Sequence, residues 1–236
     1  MQFHLNGYRP GDPRKLAADT GAMQAPDGPG DEVDVLIAGC GPAGLVLAAQ
    51  LAAFPRIKTR IVERKPGPLE LGQADGIACR TVEMFQAFGF AQRLLEEAYW
   101  VNETVFWRPD PADRTKIVRS GRIQDTEDDL SEFPHVIVNQ ARVHDYFLEV
   151  MRDSSSKLAP HYNRHVKNVV VDDSGDYPVV VTLQRTDGEG QGREETVRAR
   201  YVVGCDGARS TVRQSIGRTL VGDVANQAWG GMDGLA

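Results

Sequence analysis

The residues with the clearest chemical meaning in this 236-residue chain form a glycine-rich turn near its start. An apolar stretch, residues 33–38, leads into Gly-Cys-Gly-Pro-Ala-Gly at residues 39–44, and an Ala/Leu-rich stretch follows. In this Gly-x-Gly-x-x-Gly pattern the first glycine permits a tight turn and the second lets the backbone approach a diphosphate. The third lets a helix pack closely on its strand, and the amides at the start of that helix attract phosphate. We therefore predict a dinucleotide site at this turn.

An acidic residue lies where such a site needs one. A second predicted strand, residues 59–63, ends in Glu63, 19 residues after Gly44. A carboxylate at that place can accept hydrogen bonds from the two hydroxyls of a ribose. The alternative is a strand-helix-strand unit that binds nothing, and the motif alone does not say which dinucleotide is bound.

A second turn with chemical potential lies far along the chain. The apolar run at residues 201–204 is followed by Asp206 and Gly207, and then by a helix-forming segment that carries Arg209 and Arg213. Asp206 would lie at the carboxyl end of a strand, where doubly wound sheets bind their ligands. The alternative is an ordinary Asp-Gly turn that joins a strand to a helix.

The elements that must position these turns follow from apolar periodicity and turn residues. The glycine turn lies in a strand-helix-strand unit over residues 33–63. Helices are predicted at 80–88, with Gly89 as the stop signal, at 91–98, and at 140–152, with Asn139 as the cap. Strands are predicted at 100–107, 116–119 and 136–138, and a three-stranded β-meander at 166–203.

The remaining segments are expected to have simpler roles. Residues 1–31 mix Gly, Pro, Asp and Ala without periodicity, which predicts an extended arm, and the acidic stretch 125–132 predicts a solvated loop. The three tryptophans, Trp100, Trp107 and Trp229, are expected to pack in the core or against a sheet. Every histidine except His135 is expected to lie in polar surroundings or in the arm.

Composition limits the class of protein. The chain has 41% hydrophobic and 25% charged residues, a net charge of −6 and a pI of about 5.4, which disfavours nucleic-acid and anionic-membrane partners. No apolar run reaches membrane-spanning length and the first residues lack a secretory pattern, so a cytoplasmic location is expected. Cys40, Cys79 and Cys205 are scattered, which argues against a disulfide framework and a zinc site and leaves packing as their role.

The glycine fingerprint together with the Asp-Gly turn resembles the single-component flavoprotein aromatic hydroxylases. Residues 70–85 and 133–144 resemble the phenol hydroxylase and 3-hydroxybenzoate 4-hydroxylase branch, and the ends of the chain, residues 1–7 and 222–229, are similar to the 3-hydroxybenzoate side of that branch. Gly231 and Gly234 depart from the pattern, since bulkier apolar residues would be expected there. The resemblance covers essentially the whole chain.

The resemblance implies an α/β fold of the Rossmann-like FAD-binding type found in glutathione reductase, with an inserted β-meander. The expected organisation is an arm at 1–31, an FAD-binding domain at 32–220, and the start of a truncated substrate-binding sheet at 221–236. FAD is the implied cofactor and NADPH the co-substrate. The implied cofactor-binding residues are Gly39, Gly41, Pro42, Ala43, Gly44, Glu63, Arg64, Arg80, Gln140, Arg142, Asp206 and Gly207.

Two residues receive catalytic roles from the resemblance. Asp75 corresponds to an aspartate near the substrate's phenolic hydroxyl, where an enclosed carboxylate would have a raised pKa and act as a base. Its alternative is a loop residue that caps a turn beside Gly76. His135 corresponds to a histidine that faces the substrate's carboxylate end, to which an imidazole can donate a hydrogen bond. Its alternative is a histidine bound to a backbone carbonyl at a strand edge.

The implied reaction is NADPH-dependent hydroxylation of a phenolic acid by O₂ through a flavin hydroperoxide, with 3-hydroxybenzoate converted to 3,4-dihydroxybenzoate. Members of this family are much longer, so the chain is expected to be an N-terminal fragment that binds FAD weakly and does not turn over alone. The longer protein would be a possible homodimer. Three alternatives stay open: a phenol 2-monooxygenase-like activity, an NAD(P)-dependent dehydrogenase, and a catalytically empty FAD-binding module.

Overall fold

A computed structural model describes residues 32–70, 72, 74–173, 175–223 and 225–227. The predicted arm, Trp229 and the two departures at Gly231 and Gly234 lie outside the described residues. In chain order the elements are β1 (Glu32–Ala38), α1 (Pro42–Ala52), β2 (Thr59–Val62), β3 (Gly76–Ile77), α2 (Cys79–Phe88), α3 (Ala91–Glu97), β4 (Tyr99–Val101), β5 (Glu103–Pro109), β6 (Ile117–Gln124), β7 (His135–Ile137), α4 (Gln140–Asp153), β8 (Arg164–Val171), β9 (Val179–Arg185), a 3₁₀ turn (Gly188–Gly190), β10 (Glu194–Gly204) and α5 (Thr211–Ser215).

The main sheet has five strands in the order β2-β1-β10-β9-β8. Strand β1 pairs in parallel with β2 on one side and with β10 on the other, and β10, β9 and β8 continue the sheet as antiparallel neighbours. This arrangement confirms the predicted strand-helix-strand unit and the β-meander. Because β1 and β10 run in parallel, the glycine turn after β1 and the Asp-Gly turn after β10 leave the same edge of the sheet.

Helix α4 packs on α1 and is joined to α2 and α3 by an aromatic cluster. Phe85, Phe90 and Phe147 lie edge to face or tilted with ring centroids 4.9–5.7 Å apart, and the ring of Tyr146 stacks on Phe90 at 5.1 Å. These four side chains are at most 3% exposed. Their burial removes a large apolar area from water and fixes α2, α3 and α4 against one another.

The predicted helix ends are confirmed. Helix α2 ends at Gly89, whose φ of 86° is a left-handed conformation that favours glycine. Helix α4 begins after Asn139, whose side-chain oxygen accepts a hydrogen bond from the backbone N–H of Ala141 at 2.8 Å. The cap therefore fixes the residue at which α4 begins, and with it the position of Gln140.

Two small sheets lie beside the main one, and they correct one prediction. Strands β3, β7 and β4 form a three-stranded antiparallel sheet, and β5 and β6 form a two-stranded ribbon. Trp100 on β4 and Trp107 on β5 are 47% and 59% exposed, so of the two predicted alternatives, the core or a sheet surface, packing in the core was wrong. The Arg119 guanidinium on β6 lies 5.5 Å from the centre of the Trp107 ring, on the surface of the ribbon. Sheets of two or three short strands cannot cover both of their faces. Among the described residues, no helix has the length and apolar character needed to span a bilayer.

Candidate functional site

The glycine turn after β1 depends on two glycines for its shape. Gly39 has a φ of 102°, and a Cβ built on it would overlap the backbone carbonyl of Cys205, which follows β10. A Cβ built on Gly44 would overlap the carbonyl oxygen of Gly39. Any side chain at either position would therefore push the turn away from β10 or from α1.

The middle glycine of the motif has a different surrounding. Gly41 is the N-cap of α1, has an extended backbone and makes no side-chain cap hydrogen bond, and Pro42 occupies the first turn. Nothing lies within 4 Å of a Cβ built on Gly41. The first amides of a helix have no partner inside the helix, and they carry a partial positive charge. The open space at Gly41 therefore fits an anionic diphosphate lying close to the backbone.

The Glu63 carboxylate lies beside this turn, immediately after β2. Its Oε2 accepts a hydrogen bond from the backbone N–H of Cys40 and its Oε1 from that of Lys65, both at 2.9 Å. Each carboxylate oxygen has two acceptor sites, so hydroxyl groups of a ribose can bind beside these two amides. The side chain that was predicted to hold a ribose is thus fixed in place by the backbone around it.

The Asp206 carboxylate is engaged within its own turn. Its Oδ1 accepts a hydrogen bond from the Ser210 hydroxyl at 2.5 Å, and its Oδ2 accepts from the backbone N–H groups of Thr211 at 2.7 Å and Val212 at 3.2 Å. The side chain therefore caps the start of α5, as the simpler interpretation of the Asp-Gly turn expected. Gly207, with a φ of 81°, places the backbone of the turn toward the glycine motif.

Two open cavities flank the glycine turn, with volumes of about 180 and 290 Å³. Gly41, Glu63 and Gly207 line both of them. The predicted cofactor-binding residues that line at least one cavity are Gly39, Gly41, Pro42, Ala43, Glu63, Arg64, Gln140, Asp206 and Gly207. Segments that are far apart in sequence thus meet around one turn.

The two predicted catalytic residues are placed by the three-stranded sheet, Asp75 directly before the edge strand β3 and His135 on the central strand β7. Asp75 is exposed, and its backbone carbonyl accepts a hydrogen bond from the N–H of Val138 at 2.9 Å. A Cβ built on Gly76 would lie 3.3 Å from Nε2 of His135, because β3 pairs with β7. Nδ1 of His135 lies 2.7 Å from Oδ2 of Asp125, so one acidic side chain of the loop at 125–132 is half-buried and not fully in solvent.

A close contact connects this pair of residues to the second cavity. A Cβ built on Gly72 would come within 2.8 Å of Cβ of Gln140 and within 3.4 Å of Oδ1 of Asp75. Gln140 is the first residue of α4 and lines the second cavity. Gly72 and Gln140 therefore lie between Asp75 and that cavity.

Arg80 and Arg142 do not line either of these cavities. Arg80 is 91% exposed and lies 3.6 Å from Glu83 on the same helix. The Arg142 guanidinium binds both carboxylate oxygens of Glu97, with distances of 2.6 and 2.8 Å, and lies over the ring of Tyr146. The structure shows Arg142 in an ion pair that joins α4 to α3, because Glu97 ends α3 directly opposite. The cofactor contact of Arg142 stays a prediction.

His144 was expected to lie in polar surroundings and was not predicted as a site residue. The residue is 4% exposed and lines the second cavity, and burial lowers the pKa of its imidazole. Tyr162 and Cys40 also line this cavity, and burial raises the pKa of the Cys40 thiol to about 12. Helical spacing could have indicated this position: His144 follows Gln140 by four residues, so the two side chains share one face of the predicted helix.

The chain belongs to the FAD-binding domain family, whose model matches residues 32–235. This assignment confirms the fold class and the FAD cofactor expected from the two turns. Over its whole length the chain is 65% identical to 3-hydroxybenzoate 4-monooxygenase of Comamonas testosteroni, and it covers 37% of that protein. It is 34% identical over 203 residues, 86% of this chain and 32% of the relative, to phenol 2-monooxygenase fsqG of Aspergillus fumigatus.

Solved structures give the same fold. The aklavinone-11 hydroxylase complex with FAD and aklavinone matches with a TM-score of 0.61 and 26% identity, over 78% of this chain and 35% of that one. The flavin-dependent monooxygenase PieE in complex with FAD and substrate matches with a TM-score of 0.66 and 24% identity, over 83% and 34%. The chain thus spans about a third of the length of the relatives it matches.

Proposed function

We propose that the protein carrying this chain is an FAD-dependent hydroxylase that converts 3-hydroxybenzoate to 3,4-dihydroxybenzoate. The observation that carries the proposal is the open space at Gly41, at the start of α1, beside the fixed carboxylate of Glu63. The identity with the Comamonas testosteroni enzyme over the whole chain supports the choice of substrate. In the overall reaction, one atom of O₂ enters the ring, the other leaves as water, and NADPH supplies two electrons.

The cofactor would be held by the residues around the glycine turn. The amides at the start of α1 bind the diphosphate, and the Glu63 carboxylate accepts hydrogen bonds from the ribose next to the adenine. Arg64 and Gln140 line the two cavities and donate further hydrogen bonds, and Gly207 closes the site from the side of β10. When bound, FAD supplies the oxidation-reduction chemistry that protein side chains lack.

The substrate would be held on the other side of Gln140, at Asp75 and His135. The Asp75 carboxylate accepts the proton of the phenolic hydroxyl, which raises the electron density of the ring and makes it more reactive toward an electrophilic oxygen. In its protonated form, which has two N–H donors, His135 donates from Nε2 to the substrate carboxylate and from Nδ1 to Asp125, which fixes the ring. Asp75 is exposed in this chain, so its enclosure depends on bound cofactor and substrate.

The experiment on the cofactor uses the 236-residue chain itself. We expect it to bind FAD in a fluorescence titration more tightly than it binds NADP⁺, and to oxidise NADPH no faster with 3-hydroxybenzoate than without it. Failure to bind FAD would remove the proposed cofactor role. Robust hydroxylation by this chain alone would contradict the expectation that it does not turn over.

The experiment on catalysis uses the protein at the length of its Comamonas testosteroni relative. Asp75→Ala is expected to lower the rate of 3-hydroxybenzoate hydroxylation by about 100-fold, because general-base catalysis is worth about that factor, and to change the Kd of FAD less than twofold. Asp129→Ala, in the exposed loop at 125–132, is the control. An unchanged rate in Asp75→Ala would contradict the role of Asp75 as a base. If the enzyme uses phenol in preference to 3-hydroxybenzoate, the role of His135 in binding the substrate carboxylate is contradicted.

A further inference from the structure

The second cavity beside the glycine turn contains a buried polar atom without a partner. Nε2 of His144 has no hydrogen bond to any described residue, although the side chain is only 4% exposed. A buried polar group without a partner costs roughly 1–3 kcal/mol, and most such groups in folded proteins are hydrogen-bonded. His144 lies on α4 one turn after Gln140, and both residues line this cavity.

The polar groups around His144 are already engaged with one another. Glu63, which faces the same cavity, accepts hydrogen bonds from the backbone of Cys40 and Lys65. Tyr162 and Cys40 line the cavity as well, and neither is a hydrogen-bond partner of Nε2 of His144. None of these described groups is hydrogen-bonded to Nε2 of His144, so this nitrogen is available to a molecule that enters the cavity.

The charge of the cavity indicates which chemistry that molecule has. Burial is the main cause that lowers the pKa of His144; Asp145 and Glu63 oppose the shift, and Lys65 adds to it. A neutral imidazole presents one N–H donor and one acceptor nitrogen. The first turn of α1 and the Lys65 side chain line the same cavity, and both favour a negatively charged group.

We propose that His144 is a cofactor-binding residue whose Nε2–H donates a hydrogen bond to a diphosphate oxygen of the bound dinucleotide. The proposal rests on the proposed function, since it assigns this chain an FAD site. It would give the diphosphate a donor from α4 in addition to the amides of α1, which line the same cavity. Gln140 and His144 would then act from successive turns of one helix, whose start is fixed by the Asn139 cap.

The test measures how tightly ligands with and without phosphates bind. Four proteins are compared: the unchanged chain, His144→Phe, His144→Gln and the control His161→Phe. His161 is a half-buried histidine whose pKa is also lowered by burial, and it does not line this cavity. Isothermal titration with FAD, ADP and adenosine gives the Kd values. We expect His144→Phe to weaken FAD and ADP about tenfold, the effect of one hydrogen bond of about 1.4 kcal/mol, and adenosine less than twofold.

The stability of the ligand-free protein distinguishes a ligand-binding role of His144 from a purely structural role. Because the unpartnered nitrogen is removed, the ligand-free His144→Phe chain is expected to be as stable as the unchanged chain or more stable. His144→Gln keeps an N–H donor and is expected to bind ADP within threefold of the unchanged chain. Equal ADP affinity in the unchanged chain and His144→Phe would overturn the proposal, and so would an equal loss of adenosine affinity.

Nitrogen NMR of the imidazole gives a measurement that needs no folded variant. ADP is expected to shift the Nε2 resonance of His144 in the unchanged chain, and adenosine is expected to leave it in place. Absence of an ADP-induced shift overturns the assignment of His144 while FAD binding by the chain remains intact. Absence of any FAD or ADP binding by the unchanged chain contradicts the proposed function as well.

Discussion

The carboxylate of Glu63 accepts a hydrogen bond from the backbone N–H of Cys40 at 2.9 Å, which joins the end of β2 to the glycine turn after β1. The same carboxylate accepts from the N–H of Lys65. One side chain therefore fixes the two backbone segments that border the proposed ribose site. A residue expected to recognise a ligand also maintains the shape of the turn, so its loss affects both properties.

Replacing Glu63 with Gln tests both roles at once. The amide NH₂ group would face a backbone N–H donor, so the free energy of unfolding should fall by about 1–3 kcal/mol. The Kd of FAD should rise at least about tenfold, since the ribose also loses an acceptor. Urea denaturation and FAD fluorescence titration measure these quantities. Glu194→Gln, on an exposed residue at the start of β10, is the control, and an equal effect there would show that charge alone is responsible.

Replacement by alanine should affect different properties at two glycines of the same motif: FAD affinity at Gly41 and folding stability at Gly44. Gly41→Ala adds a methyl group in open space at an extended backbone, so stability should change by less than about 1 kcal/mol while the Kd of FAD rises at least about tenfold. Gly44→Ala would overlap the Gly39 carbonyl and should lower the free energy of unfolding by about 1–3 kcal/mol or more. Thermal unfolding and FAD titration distinguish them. Unchanged FAD affinity in Gly41→Ala would place the diphosphate elsewhere.

In the turn after β10, replacing Asp206 should lower the stability more than replacing Ser210. Asp206→Ala removes the acceptor of two backbone amides and one hydroxyl and should cost about 2–3 kcal/mol. Ser210→Ala removes the side chain that caps the N–H of Arg213 and should cost about 1 kcal/mol. Hydrogen exchange should show loss of protection at Thr211 and Val212 in the first variant. If both variants lose the same stability, the carboxylate is not the main cap of α5.

The ion pair of Arg142 predicts a specific dependence on pH. Hydrogen bonds from Arg142 and then from Tyr146 lower the pKa of Glu97 to about 2 from its usual 4.5. The pair therefore contributes stability that is fully present above pH 4.5 and is lost as the pH falls toward 2. Since the Glu97 side chain is 40% exposed, solvent screening keeps this contribution below about 1 kcal/mol.

Arg142→Met should raise the pKa of Glu97 toward 4.5, and stability should fall less between pH 4.5 and 2 than in the unchanged chain. Carboxyl NMR titration and acid denaturation measure the two effects. The Kd of FAD is expected to stay within twofold, because the guanidinium is bound to Glu97. A large loss of FAD affinity in Arg142→Met would instead support the cofactor contact of Arg142 that was expected from the sequence.

Local patterns in the sequence were sufficient for most of the fold. The glycine turn, the stop at Gly89, the cap at Asn139 and the β-meander were predicted because each depends on residues within one turn or one strand. The partner of Arg142 could not be predicted, since Glu97 lies 45 residues away and meets it only through helix packing. His144 was missed for the same reason, because burial against the glycine turn is a tertiary property.

The carbonyl of Cys205 occupies the space beside Gly39, and β10 is inserted between β1 and β9. During synthesis on the ribosome, β1, α1 and β2 emerge early, whereas the strand that completes their sheet emerges after all the others described. Until then β1 has an unpaired edge, and the turn has no neighbour to set its conformation. The nucleotide site is therefore expected to mature late in folding, and the nascent chain carries an exposed, aggregation-prone sheet edge until then.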